Sequence, residues 1–531
     1  MMKPPSSQCP RRCRLQPWPG ILRGGATAIL CSAWLLLAPP NCSTARAAGE
    51  PDLAPAALAV AAAAARTDAK RLTAFALERN PRILAARQTI EHALAGQDEL
   101  QGFFDPRLSA RTGWQSDPVA GSDATFGLGG VEGAVMPGLY WNTGAEYNFF
   151  SSLPGDPQRI GETQLFAGVK VPLWRDRGFR LWELDRSKAG CQIQAARERL
   201  RAVAQEVRQE VEQRLVNWLE ARSQVRISAA ATRRVEKLLG DAEELVRLKT
   251  VPEYQIFPAR MEVSLRRDEE EVARQTVIST RQRLSETVGF ETWESVVPAW
   301  TPEALVAWGH TVTPPPPAAS TTLSIYFPAR GDWQELQYLI KEAGLELEKG
   351  RENLKSDVSI EARADWVGED SGGGISNGIV DNTRNTGGIV ALTWSRPWGY
   401  TAEKARIRQS RARISELREN LQTLELGIRT ELQVTQGDCR LGQERLGRLS
   451  DAVTAARQTL IAEEESFRLG QGRSRNVLDA QKDLTESIRR QAAAAAELLR
   501  AAARYRYATG YSFPEPLPAP QPPAAAGGGT P

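Results

Sequence analysis

The spacing of apolar residues along the chain switches between a helical period and a strand period, and it does so twice in the same order. Residues 67–102 carry apolar side chains at helical spacing, with Asn80 and Pro81 as a break or restart. A second helix of this kind is predicted at about 332–356. After each helix the period changes to two, which predicts strands over 107–116, 139–149, 165–173, 358–367 and 388–396.

Each predicted strand places apolar or aromatic residues on one face and polar or small residues on the other. Along 107–116, for example, Leu108 and Trp114 alternate with Arg107 and Arg111. A barrel strand that faces lipid on one side and water on the other needs this alternation. A half-buried soluble sheet uses the same pattern, so the strands alone favour neither interpretation.

Two very long helices are predicted, over residues 178–249 and 399–470. Neither segment has an internal proline, and at roughly 1.5 Å per residue each helix would be about 108 Å long, more than any single globular core. Their apolar spacings of three and four are typical of a narrow coiled-coil seam, so such helices must pack side by side. The seam residues are Ile193, Ala196, Leu200, Val203, Val207 and Val211, and then Ile414, Leu417, Leu421, Leu424, Ile428 and Leu432.

The chain is a duplicated unit. Residues 178–288 align without gaps with 399–509 at an offset of 221 positions, whereas 105–114 align with 357–366 at an offset of 252. The first copy therefore carries 31 more residues between its first strand and its long helix. These residues either add strands or form a loop outside the sheet.

Each long helix is followed by a return helix of about half its length, over 255–288 and 475–509. The short helices that precede the strands supply the missing half if they stack end to end with the return helices. This arrangement predicts four full-length helical columns and at least four strands in each chain.

Residues 1–47 are typical of a cleavable export signal. They contain six basic residues and no acidic residue, an apolar run over 26–38 and the small-x-small site at 45–47. A lipid anchor on Cys42 and an uncleaved anchor are the weaker alternatives. Without this segment the formal charge changes from +3 to −3, because 61 basic and 64 acidic residues remain. The small negative charge argues against a nucleic-acid partner.

Candidate catalytic and metal-ligating residues are few. The two His residues stand alone in the sequence, and only Cys191 and Cys439 remain after the export signal. No Ser-His-Asp order, Walker loop or Cys-x-x-Cys motif occurs. We therefore predict no enzyme activity, no cofactor and no metal site.

Three features together resemble one known family: the order of elements, the duplication and two short motifs. The motifs are residues 80–87 (NPRILAAR) in the first helix and 469–481 (LGQGRSRNVLDAQ) at the second turn. Over about residues 67–510, the chain is similar to the TolC-like outer membrane efflux proteins of Gram-negative bacteria. The resemblance implies a mainly α fold with a membrane β-barrel portion. It also implies a homotrimer, in which twelve strands from three chains close one barrel through the outer membrane and twelve helical columns form a periplasmic tunnel.

The resemblance also implies a pore constriction where the return helices begin. Family members carry Asp residues there; Asp479 matches the pattern, Asn476 departs from it, and Gln255 replaces the Asp of the first copy. A ring of three Asp479 side chains would favour cations, although a simple helix-terminal charge is the alternative. Arg473 and Arg475 are candidate closed-state links, with solvated charges as the alternative. The turns implied to contact an adaptor are Leu248, Lys249 and Thr250, and Leu469, Gly470 and Gln471.

The implied function is a trimeric outer membrane channel, in contact with lipid, that exports small molecules or ions with an inner membrane pump and a periplasmic adaptor. The alternatives are the outer membrane component of type I protein secretion and a periplasmic coiled-coil adaptor or structural protein. The predicted organisation is a signal peptide (1–47), an Ala-rich linker (48–66), a first repeat (67–288), an equatorial linker (289–331), a second repeat (332–510) and a disordered tail (511–531).

Overall fold

The computed structural model of the protein describes residues 70–117, 122–136, 138–151, 159–249, 252–289, 302–313, 320–370, 385–469 and 471–511. All of them belong to one compact unit, Leu53–Pro531. The predicted signal peptide and Ala-rich linker lie outside the described residues, as does the tail beyond Tyr511. Two of the predicted adaptor-contact positions, Thr250 and Gly470, also lie outside them.

The described chain consists of helices numbered α1 to α8 and strands numbered β1 to β6. The helices are α1 (70–79), α2 (Pro81–Gln101), α3 (Arg180–Arg247), α4 (Ile256–Val288), α5 (Pro302–His310), α6 (Gly331–Glu352), α7 (Thr401–Arg468) and α8 (Ser474–Ala508). The strands are β1 (Arg107–Asp117), β2 (Ser122–Val135), β3 (Leu139–Ser151), β4 (Arg159–Pro172), β5 (Asp357–Asp370) and β6 (Asn385–Ser395).

The long helices α3 and α7 have 68 residues each. At 1.5 Å per residue each is about 100 Å long. Both follow an aromatic residue in the left-handed region, Phe179 with φ 60° and Tyr400 with φ 53°, and these residues are equivalent in the two copies. The predicted ranges, 178–249 and 399–470, extend two residues beyond the observed helices at either end.

The described helices lie side by side in a row of four columns. The long helix α3 packs on one side against α2 and α4, and on the other side against α6 and α8. The second long helix, α7, packs against α6 and α8 and completes the row. One edge of the row is therefore formed by α2 and α4, and the opposite edge by α7.

The short and return helices stack end to end, as the comparison of their lengths predicts. At the first junction, the Asn80 side chain donates to the Thr287 carbonyl at the end of α4 over 2.6 Å. The same side chain accepts from the Arg82 amide over 2.8 Å and so caps α2, whose first residue is Pro81. Asn80 therefore joins α4 to α2 within one column.

At the second junction, the side chain of Gln205 on α3 holds the chain segments together. Its amide nitrogen donates to the carbonyls of Gly510 and Ala329 over 2.7 and 3.0 Å. Its oxygen accepts from the Gly331 amide over 3.1 Å. Gln205 is only 1% exposed, and its bonds to Gly510 and Gly331 are buried, so they satisfy backbone groups away from water.

The coiled-coil seam has a different environment in the two copies. All six predicted seam residues of α3 are buried, whereas only Leu417, Ile428 and Leu432 of the six in α7 are buried. The reason is the position in the row, because α3 has neighbours on both sides and α7 on one side only. The same sequence pattern thus produces an inner column and an edge column.

The six strands form one antiparallel sheet in which each strand pairs with its neighbours in sequence, from β1 to β6. Strand β2 was not predicted from the sequence, and its pairing with β3 shows that the additional residues of the first copy form a hairpin within the sheet. The edges of the sheet are β1 and β6. No described helix has both the length and the apolar character needed to cross a membrane.

Candidate channel wall and tip

One face of the sheet carries mainly apolar, aromatic and small residues together with several Thr residues. None of the described side chains of this face is charged, and the charged side chains described in the strands belong to the opposite face. Trp141 and Trp394 lie toward the end of the sheet that joins the helices, and Trp114 and Trp366 lie toward the other end. Apolar residues bordered by aromatic residues at both ends are typical of a lipid-facing barrel surface.

The opposite face of the sheet is polar. Lys170 and Glu361 form a 2.7 Å ion pair between neighbouring strands, and Gln164 donates to Asp365 over 2.9 Å. A pocket of about 810 Å³ lies on this face at the helix end of the sheet. The charged residues of this face with described side chains are Arg107, Arg111, Glu132, Glu146, Glu162, Lys170, Asp357, Glu361, Arg363 and Asp365.

An aromatic cluster joins the sheet to the helices. Phe179, which is fully buried, packs edge to face against Phe103 and Tyr140 with ring centroids 5.3 and 5.1 Å apart. Phe104 packs in the same way against Trp182 at 4.9 Å, and the Trp182 indole donates to the Leu100 carbonyl over 2.8 Å. Such contacts stabilise beyond their buried area, so the orientation of sheet and columns is fixed.

The C-cap residues at the far end of the long helices have equivalent backbone geometry in the two copies, with φ −77° at Leu248 and φ −78° at Leu469. Leu248 and Leu469 occupy the C-cap positions of α3 and α7, and both side chains are exposed. Lys249 has φ 59°, a conformation that usually favours glycine. At the second turn, the Gln471 amide donates to the Ser466 carbonyl over 3.0 Å. Two exposed turns therefore lie at what we call the tip.

Asp479 and Asn476, two of the predicted constriction residues, lie on the exposed face of α8 close to the tip. The opposite face of the same turns buries Val477 and Leu478 in the coiled coil. Gln255, the third predicted residue, ends the 3₁₀ turn that precedes α4. Asp483 and Glu486 continue the exposed stripe of Asp479, which the sequence interpretation missed even though their spacing of four and three residues indicates one helix face.

Arg473 and Arg475, the candidate closed-state links, are both exposed at the start of α8. The described ionic contacts between α4 and α8 lie further from the tip, in a group that we call the tip ion cluster. Within it, Arg266 is largely buried and contacts Glu262 and Glu269 over 2.9 and 3.0 Å. The cluster consists of Glu262, Arg266, Glu269, Lys482 and Arg489.

The cluster joins the two return helices. Arg489 on α8 contacts Glu269 on α4 over 2.7 Å, and Lys482 contacts Glu262 over 3.3 Å. Burial alone raises the pKa of Glu269, but the hydrogen bond from Arg489 and the charges of Arg266 and Arg489 outweigh burial and lower it. Glu269 is therefore held in its charged form by two cations from two helices.

The described residues contain no group of three or more His, Cys, Asp or Glu side chains placed to hold a metal ion. The two cysteines within the described ranges, Cys191 and Cys439, are both free thiols. Burial raises the pKa of each thiol.

Comparison with known proteins finds similarity at the level of structure. No protein-family model and no curated protein sequence matches the chain. The solved structure of CusC, described for its transmembrane channel formation, has a TM-score of 0.64 and 14% identity and covers 84% of this chain and 92% of its own. The outer membrane protein VceC of Vibrio cholerae has a TM-score of 0.60 and 13% identity, with coverage of 84% and 96%.

A third similar structure is the open state of the outer membrane channel MtrE of Neisseria gonorrhoeae. It has a TM-score of 0.61 and 14% identity, and it covers 83% of this chain and 88% of its own. These structures match the row of long helices together with the sheet, because each alignment extends over more than four fifths of the chain. The chain therefore has the fold of the TolC-like outer membrane efflux channels.

Proposed function

We propose that the chain forms a homotrimeric outer membrane channel that exports small molecules or ions, together with a periplasmic adaptor and an inner membrane pump. The observation that carries the proposal is that the described part of the chain has two edges without a partner, one on each side. One edge is formed by β1 and α4, and the other by β6 and α7. Contact between unlike edges of successive copies generates a ring.

The edges of the sheet need a partner. Strands β1 and β6 are 11 residues long, and each pairs along one side only. Leu108 on β1 and Leu392 on β6 are 79% and 69% exposed. Long apolar edge strands are aggregation sites unless another strand covers them. Since β1 and β6 run in opposite directions, β6 of one copy can pair antiparallel with β1 of the next.

The edges of the helical row are also apolar. On α4, Phe257 and Met261 are 60% and 61% exposed, and on α7, Leu441 and Ile461 are exposed to a similar degree. All four lie in the half of the row nearer the tip. Extended apolar stripes on an isolated chain indicate protein contacts. Packing of α4 against α7 of the next copy would bury both stripes at once.

Closure of the ring gives each face of the sheet a role. The apolar face contacts lipid, and the polar face lines the channel. Asp479 from three copies forms a ring at the tip that favours cations. The exposed Leu248 and Leu469 turns are the surfaces for the adaptor. The channel performs no chemistry, and the pump supplies the energy.

Conductance of the purified protein in planar lipid bilayers tests the proposal. We expect discrete, cation-preferring steps from trimers that chemical cross-linking identifies on a gel. A monomeric preparation that stays silent at all voltages would contradict the proposal.

Deletion of the gene distinguishes export of small molecules or ions from protein secretion. It should raise the sensitivity of the cells to toxic small molecules or metal ions, while the set of secreted proteins stays unchanged.

A further inference from the structure

The additional residues of the first copy form one separable element, which we call the inserted hairpin (β2 and β3, Ser122–Ser151). The two alignment offsets make β1 equivalent to β5, and β4 equivalent to β6. The inserted hairpin has no counterpart in the second copy. It therefore changes a unit of two strands into a unit of four.

The inserted hairpin is part of the sheet along its whole length. Strand β2 pairs with β1 from Arg107↔Glu132 to Asp117↔Ser122, and β3 pairs with β4 from Tyr140↔Lys170 to Ser151↔Arg159. Its side chains continue both faces: Trp141 and Tyr147 lie on the apolar face, and Asn142 and Glu146 lie on the polar face. A loop outside the wall would not need this alternation.

The turn of the hairpin is fixed to the helices. Gly138 has φ 116°, and a β-carbon there would come within 2.8 Å of the Gly178 Cα atom just before α3. Tyr140, two residues later, packs edge to face against Phe103 and Phe179. The hairpin is thus held at the same junction as the other strands.

We propose that the inserted hairpin widens the barrel in the trimer to eighteen strands, compared with the twelve strands that the family resemblance implies. This inference rests on the proposed trimeric channel and adds to it the width of the outer membrane passage. The count follows from six strands in each chain and closure of β6 onto β1 of the next copy.

An eighteen-stranded barrel is about half as wide again as a twelve-stranded one. Twelve helical columns spaced 8–10 Å apart form a ring about 31–38 Å across between helix axes. Eighteen strands spaced 4.7–4.9 Å apart and tilted by 35–45° form a barrel about 33–40 Å across. Twelve strands under the same conditions give only about 22–26 Å.

The hairpin adds an even number of strands, so after its removal the neighbouring strands still run antiparallel. Strands β1 and β4 run in opposite directions, because two strands separate them. Without Ser122–Ser151, the segments 118–121 and 152–158 remain to connect β1 to β4. A variant without the hairpin therefore retains the strand pairings that do not involve β2 or β3.

Disulfide cross-linking in the membrane-extracted trimer tests whether the hairpin lies in the wall. Ala110, Gly129, Ala145 and Leu165 occupy one level of the apolar face on β1 to β4, and a β-carbon at Gly129 meets no atom within 4 Å. Cysteine pairs are introduced into a chain whose six native cysteines are replaced by Ser. Each single-cysteine variant is the control.

We expect disulfides in the pairs Ala110→Cys with Gly129→Cys and Ala145→Cys with Leu165→Cys, and none in Ala110→Cys with Leu165→Cys. If the hairpin lay outside a twelve-stranded wall, β1 would pair directly with β4. The third pair would then cross-link and the first two would not, which would overturn the inference.

The deletion of residues 122–151 provides the second test. We expect the variant to form conducting trimers with a barrel cross-section reduced to roughly half. Exclusion of polyethylene glycols added to the outer side of a bilayer should therefore begin at a smaller polymer than in the wild type. An unchanged exclusion size in a conducting variant would overturn the inference.

The inference and the proposed function fail in different ways. A wild-type protein that conducts as a trimer but shows the cross-links of a twelve-stranded wall refutes the eighteen strands and leaves the channel intact. A wild-type protein that neither trimerises nor conducts refutes the channel, and the inference with it.

Discussion

Single buried polar side chains hold the helix ends together. Asn80 joins α4 to α2, and Gln205 joins the end of α8 to the start of α6. The partners of Gln205 lie 124 to 305 residues away in the chain. The sequence predicted that the helices stack, because their lengths must match. It could not predict which residue holds the junction, since a polar residue in a coiled-coil pattern is usually solvated.

Replacement of Gln205 tests its role at the second junction. Gln205→Leu keeps a side chain of similar size but removes the hydrogen-bond partner of the buried Gly510 carbonyl, the buried Gly331 amide and the partly buried Ala329 carbonyl. We expect a loss of unfolding free energy on the order of 3–5 kcal/mol, measured by denaturant unfolding in detergent.

A matched control for this variant is Gln192→Leu on the same helix, where the side chain donates to Glu342 at an exposed site. Its effect should stay within about 0.5 kcal/mol. Equal effects of the two substitutions would show that Gln205 does not support the junction.

At the scale of elements, the long and return helices were predicted accurately, whereas strand β2 and helix α5, within the segment predicted as a linker, were not. Both long helices lack proline and carry a regular seam, so each predicted range came within two residues of the observed boundary at either end. Strand β2 contains Gly127, Gly129, Gly130 and Gly133, which hide the alternation that marks a strand. Its neighbours β1 and β3 supply the pairing that fixes it.

The tip ion cluster is another feature of elements that the sequence could not show, because its members come from α4 and α8. Arg266→Ala leaves the buried Glu262 without its closest cation. We expect a loss on the order of 3 kcal/mol. Arg274→Ala, which removes the exposed partner of Glu270 on the same helix, should cost less than about 1 kcal/mol. Similar losses in both variants, measured by thermal unfolding, would contradict a special role of the cluster.

The same cluster predicts a dependence on pH. The pKa of Glu269 is lower in the folded protein than its ordinary value of 4.5. A lowered pKa stabilises the folded state above the unfolded value, and this contribution is lost as the pH falls from about 4.5 through the folded pKa. The Glu269→Gln variant should lack this part of the acid destabilisation. If unfolding midpoints of wild type and variant fall in parallel below pH 5, Glu269 does not contribute.

At the scale of the whole molecule, the sequence predicted a row of columns and a sheet but not the width of the sheet. The exposed stripe of Asp479 on α8 is also a property of the assembled molecule. Each chain supplies one Asp479 carboxylate, and a constriction forms only when three of them meet in the ring. Asp479→Asn should lower the cation-to-anion permeability ratio at least about two-fold, as read from the reversal potential in a salt gradient. Asp98→Asn on α2, far from the tip, is the matched control and should leave the ratio unchanged.

The central claim is that unlike edges of successive chains meet around a hollow axis, and electron microscopy of the detergent-extracted protein tests it most directly. The account predicts three-fold particles, about 100 Å of helical tunnel joined to a barrel, with an open axis and with β6 paired to β1 of the next copy. Single-chain particles with both sheet edges unpaired and no axial hole would contradict it.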